Sequence, residues 1–145
     1  MNTSVAGLSP IYQRLQLKSL KTFYRIFLSK DMEQRESEVL KMVSNRPELW
    51  DAVKKEWAGI ARLRPISVAN FFRQLVAASN YRLPKQKPAV DMVVLASLAD
   101  NMVDPRCSRA LAKKWTLPIE TNDLAGHELA LDDPQWVLQK IKEYC

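Results

Sequence analysis

The feature that most constrains this chain is a short valine-rich run, Val90-Asp-Met-Val-Val-Leu-Ala-Ser97, with Pro88 upstream and polar residues downstream. Nearly continuous apolar side chains over so few residues predict a strand buried on both faces, the kind found in parallel sheets covered by helices. Leu117–Thr121 predicts a second short strand. Between the two, Asp104-Pro105 opens a helix, with Asp104 a candidate N-cap, Pro105 at the first helical position, and Ala110, Leu111 and Trp115 inward. Residues 122–131 read as a loop carrying Gly126-His127. Asp133-Pro134 then opens a last helix with Val137, Leu138, Ile141 and Tyr144 inward. Strand, helix, strand, helix is the alternation of an α/β sheet.

The preceding residues have a different period. Leu20, Phe23, Tyr24, Phe27 and Leu28 recur on one helical face. Asp31 offers an N-cap with Gln34 three residues on, before the apolar positions Val39, Leu40, Met42 and Val43. Pro47 suits the first turn of a third helix, whose face is Leu49, Trp50, Val53, Trp57, Ile60 and Ala61, and Pro65 stops it. Ser67 caps a fourth, with Val68, Phe71, Phe72, Leu75 and Val76 as its stripe. The expected organisation is residues 1–16 as the end of a strand and a loop, 17–80 as a helical block, and 81–145 as the strand-and-helix unit, entered through a Pro-containing linker at Tyr81–Pro88. There are no internal repeats.

Composition narrows the function classes. The chain has 145 residues, enough for one domain with a core. No apolar run approaches the ~18–20 residues of a membrane span, and the first residues do not form a signal peptide, so the expected location is the cytoplasm. Cys107 and Cys145 form no CxxC or Cys/His cluster, so neither a metal nor a cofactor is expected. The formal charge of +6 is spread over the polar faces of the helices, which argues for a solvated surface and against nucleic-acid binding.

Two segments carry candidate chemistry. Leu95-Ala-Ser-Leu-Ala-Asp100-Asn-Met-Val103-Asp-Pro105 places a carboxylate just past the end of a buried strand. Ala125-Gly126-His127-Glu-Leu-Ala-Leu-Asp-Asp-Pro134 places the chain's single histidine in the loop after the next strand. Adjacent parallel strands bring such loops together at the carboxyl end of the sheet. An Asp bonded to one ring nitrogen of a His fixes its tautomer and stabilises the imidazolium formed when the ring takes a proton. Taken alone, each residue reads equally well as a turn residue or as polar surface.

These segments resemble the acid-bearing and base-bearing loops of α/β-hydrolases: a strand followed by Asp-x-x-Val and a Pro, then Gly-His followed by an apolar stretch and Asp-Asp-Pro. The order acid then base is also that family's. Asn2-Thr-Ser-Val-Ala-Gly-Leu-Ser-Pro10 is similar to the family's sixth strand and the loop that leaves it toward a helical cap. The resemblance implies a partial α/β-hydrolase fold with residues 17–80 as the cap, Asp100 and His127 as catalytic acid and base, and an ester-like or acyl substrate. The chain departs from the family in its nucleophile. Its three glycines, Gly7, Gly59 and Gly126, exclude the motif Gly-x-Ser-x-Gly, and the oxyanion-hole loop is missing too. Ser9, Ser97, Ser108 and Cys107 are the available substitutes, each without an elbow or neighbouring donors.

The resemblance therefore implies a truncated hydrolase-like chain, inactive alone. Its open sheet edge would pair with a complementary N-terminal half or with a second copy. The alternative is a non-catalytic helical interaction or ligand-binding module that self-associates.

Overall fold

A computed structural model describes residues 1–144. After a single turn of helix, α1 (Ile11–Arg14), come four helices: α2 (Leu17–Leu28), α3 (Met32–Val43), α4 (Pro47–Leu63) and α5 (Val68–Asn80). The local signals account for their ends. Asp31 accepts from the Gln34 amide at 2.7 Å, and Ser67 from the Asn70 amide at 3.1 Å. Pro47 sits in the first turn of α4, and the helix ends just before Pro65.

The remainder is β1 (Val94–Ser97), α6 (Arg106–Trp115), β2 (Ile119–Asn122), the single turn α7 (Leu129–Asp132) and α8 (Pro134–Tyr144). The two strands pair in parallel, Val94 opposite Ile119 and Ser97 opposite Asn122. All four residues of β1 are buried. Leu95 packs with Ala125, Leu129 and Val137, and Val93 and Trp136 lie against that cluster. Asp104 caps α6 by accepting from the Arg106 amide at 2.9 Å, and Asp133 caps α8 by accepting from the Trp136 amide at 3.1 Å.

Several expectations are corrected. β1 is shorter than its apolar run, with Val90 outside it and exposed, and β2 is shifted to Ile119–Asn122 from the expected Leu117–Thr121. Residues 1–5 are not a strand, although the Asn2 amide donates to the Leu95 carbonyl at 2.9 Å on the open side of β1. β2 is buried only at Asn122, so it lies at an edge and not between two covered faces. The stripes of α5 and α8 face outward: Val68, Phe72, Leu75 and Val76 are exposed, as are Leu138, Ile141 and Tyr144. Two strands offer too little surface to cover the α8 stripe, and α5 touches the block through an aromatic cluster in which Phe71 meets Phe27 edge-on at 5.1 Å. No described helix is long and apolar enough to cross a membrane.

Candidate functional site: an Asp–His pair at the strand ends

The loop leaving β1 curls back on its own carboxylate. Asp100 Oδ1 accepts from the Met102 amide at 2.7 Å and the Val103 amide at 2.9 Å. Those two bonds fix the carboxylate plane and leave Oδ2 free to face the next loop. His127 Nδ1 lies 2.8 Å from it. Only 2% of the Asp100 side chain is exposed, against 19% for His127, so water competes weakly for the contact. The structure thus brings together the two residues singled out in the sequence. With Nδ1–H donating to Asp100, the ring's lone pair sits on Nε2, which has no hydrogen bond among the described residues.

Three further polar residues hold the loops, and none was singled out from sequence. Asn2 donates from Nδ2 to the His127 carbonyl at 2.6 Å and accepts at Oδ1 from the Ser97 amide at 2.7 Å. It therefore ties the end of β1 to the histidine loop, from a backbone φ of +30°. Asp132 is almost fully buried; its Oδ2 accepts from the Gly126 amide at 2.6 Å and the Asn45 amide at 2.7 Å. Asn45, in the turn between α3 and α4, donates to the carbonyls of Ala99 at 3.1 Å and Leu124 at 3.0 Å and accepts from Asn101 Nδ2 at 2.9 Å. The helical block is thereby fastened to both loops of the Asp–His pair. Periodicity carries no signal for such residues. Asn45 stands in a polar connector, and Asp132 precedes the recognised cap Asp133 by one position.

Three of the four substitute nucleophiles, Ser97, Ser108 and Cys107, are occupied or shielded. Ser97 is fully buried and donates from Oγ to the Ala125 carbonyl. Ser108 is buried, and its Oγ accepts from the Thr3 amide at 3.3 Å. Cys107 is also buried, and burial pushes its thiol pKa up, opposite to the lowering that a helix start would favour. Among the described residues, no group of three or more His, Cys, Asp or Glu side chains is placed to hold a metal ion.

No family model matches the sequence, and no curated protein does. A solved structure does: that of a protein assigned as the non-heme bromoperoxidase BpoC of Mycobacterium tuberculosis H37Rv, at 19% identity and a TM-score of 0.59. The match covers 89% of this chain and 52% of that one, so the chain spans about half the length of the protein it matches. At this identity the likeness concerns fold, and the chain has a partial α/β-hydrolase-like fold: a helical block followed by a strand–helix–strand–helix unit of a parallel sheet.

Proposed function

We propose that this chain supplies the acid and base of a serine-hydrolase-type site acting on esters or acyl compounds, and that it is inactive alone. The observation that carries the reading is the 2.8 Å contact between Asp100 Oδ2 and His127 Nδ1, on loops that leave two neighbouring parallel strands. Asp100 orients the imidazole. His127 Nε2 takes the proton of a nucleophilic hydroxyl as that oxygen attacks the acyl carbon, and Asp100 stabilises the imidazolium. The same proton then passes to the leaving alkoxide. Gly-x-Ser-x-Gly is absent from the sequence, and no serine or cysteine side chain bonds the histidine ring among the described residues. On this reading the nucleophile and the oxyanion donors lie outside these 145 residues. On this reading residues 17–80 are a cap that shapes the acyl pocket, and residues 81–145 belong to the catalytic core.

The test is complementation. An N-terminal α/β-hydrolase half carrying Gly-x-Ser-x-Gly is co-expressed with this chain, and hydrolysis of an aryl ester is followed. Activity is expected only from the pair, and His127→Ala should lower it by about three to six orders of magnitude. Activity of the pair that survives His127→Ala would sink the reading.

A second reading, a non-catalytic module that self-associates, is favoured by the exposed apolar side chains of α2 and α5, among them Leu17, Tyr24, Leu28, Phe72 and Val76. It predicts a dimer or larger species by light scattering and no labelling by a fluorophosphonate, in the presence or absence of the complementary half.

A further inference from the structure

The cations of this chain are spread along it, but its carboxylates are not. Residues 1–30 hold five Lys or Arg and residues 57–90 hold six, half of the chain's 22, yet neither stretch holds any of its 16 Asp and Glu. The first stretch contains α2 and the second α5, the two helices with the most apolar side chains turned outward.

α2 is seated by its polar side. Its buried residue is Ser19, whose Oγ donates to the Asn101 carbonyl at 2.9 Å. Leu17, Leu20, Tyr24, Phe27 and Leu28 share the other side and stand out, from 46% exposed at Phe27 to 71% at Leu17. Lys18, Lys21 and Arg25, all exposed, flank that row. Every residue of α5 is at least partly exposed, and Val68, Phe72, Leu75 and Val76 share one of its faces, with Arg73 beside them. The two apolar rows join where Phe27 and Phe72 stack, their rings 5.8 Å apart and 12° from parallel. Arg14 holds the far end of α5, donating to the carbonyls of Ala78 at 2.9 Å and Ser79 at 3.0 Å. Two carboxylates of α3 reach these cations, Glu38 to Arg25 and Glu33 to Arg62, each at 3.6 Å. The result is one surface, apolar along its middle and cationic at its margins.

The charge decides what covers it. A second copy would bring these cations against their own kind. Duplex DNA is held mainly by polar and cationic contacts to phosphate, and rows of leucine and valine gain nothing there. An anionic lipid surface satisfies both halves, taking the apolar side chains into the acyl boundary and the cations among its head groups. No described helix is long and apolar enough to cross a membrane, so α2 and α5 would lie in its plane. We propose that α2 and α5 together dock this protein on an anionic membrane surface, with Leu17, Leu20, Tyr24, Phe72 and Val76 entering the acyl boundary and Lys18, Lys21 and Arg73 at the head groups. This assignment does not depend on the Asp100–His127 pair.

The purified chain is mixed with phosphatidylcholine vesicles, pure or containing about one-third phosphatidylserine, and the bound fraction is read by flotation. Binding to the anionic vesicles should be about tenfold tighter or more at ~0.1 M salt, and the difference should vanish near ~1 M, where the Debye length has fallen from about 10 to about 3 Å. Lys18→Ala, Lys21→Ala and Arg73→Ala together should weaken anionic binding about a hundredfold, at about fivefold per cation. Leu20→Ser with Leu28→Ser should weaken it about tenfold or more. All five of these side chains are exposed, so circular dichroism should be unchanged. The control is Lys113→Ala with Lys114→Ala, at the end of α6 that leads into β2 and away from the Asn101 loop; it should have no effect. Equal uptake by neutral and anionic vesicles, or a control that weakens binding as much as the triple variant, would overturn the proposal. So would retention by polyglutamate or duplex DNA as tight as by the anionic vesicles, or a dimer in light scattering that takes up no vesicle.

Discussion

Gly126, immediately before the histidine, is the position where one added methyl group should do the most damage. Its backbone φ is not positive, so the requirement for glycine is steric and not conformational. A Cβ there would lie 2.6 Å from the Val43 carbonyl oxygen, 3.1 Å from the Asn45 nitrogen and 3.1 Å from Asp132 Oδ2. None of these can retreat cheaply. Val43 O accepts from the Glu128 amide at 2.8 Å, and the Asn45 amide is bound to Asp132 at 2.7 Å. Overpacking costs about 1–3 kcal/mol, and each hydrogen bond broken to relieve it about 1 kcal/mol. Restricting the unfolded chain returns about 0.4–1 kcal/mol. Gly126→Ala should therefore destabilise by about 2–3 kcal/mol. For a urea m-value of ~1–3 kcal/mol per molar, the midpoint falls by about 0.7–3 M. Urea titration followed by tryptophan fluorescence measures it. The control is Gly59, inside α4, where a Cβ would meet nothing within 4 Å. Gly59→Ala should raise stability by about 0.5–1 kcal/mol through helix propensity. A midpoint for Gly126→Ala within about 0.3 M of wild type would refute the close-approach argument, as would two glycine variants that move in the same direction.

Two further outcomes follow from the same geometry. Asn2→Ala removes the side-chain bonds to the Ser97 amide and the His127 carbonyl. It should cost about 1–2 kcal/mol in urea unfolding and broaden or shift the His127 ring resonances in NMR, whereas Asn2→Asp should restore only the bond to Ser97. Burial holds the Cys107 thiol protonated above its usual range, so the thiolate needed for alkylation is scarce at neutral pH. Iodoacetamide mass spectrometry should find Cys107 slow to react in buffer and fast in urea; rapid native labelling would contradict its placement.

Much of the fold is legible because its signals are short-range. Asp31, Ser67, Asp104 and Asp133 cap their helices through residues two or three positions away, within the window any sequence reading covers. The proximity of Asp100 and His127 follows from one topological fact, that two adjacent parallel strands end on the same side. The rest depends on partners far along the chain. Asn2 meets His127 across 125 positions, and Asn45 reaches Leu124 across 79. The outward stripes of α5 and α8 show a second limit. Periodicity defines which side chains share a face, but what covers that face is decided by the amount of neighbouring surface. Here the two strands and the aromatic cluster around Phe71 cover only part of it.

The turn between α3 and α4 has a consequence for how the molecule opens. The amides of Asn45 and Gly126 both end on Asp132 Oδ2, and the Glu128 amide ends on Val43 O, two residues before Asn45. Lifting the turn releases the Asn45 and Glu128 amides together, so those two share one protecting event and one exchange free energy, while the Gly126 amide keeps Asp132. The joint then behaves as a latch, closed or open, and not as a graded hinge. When it opens, the histidine loop loses its bond at Glu128 and is loosened, even while Gly126 keeps Asp132 and Asp100 keeps its own turn.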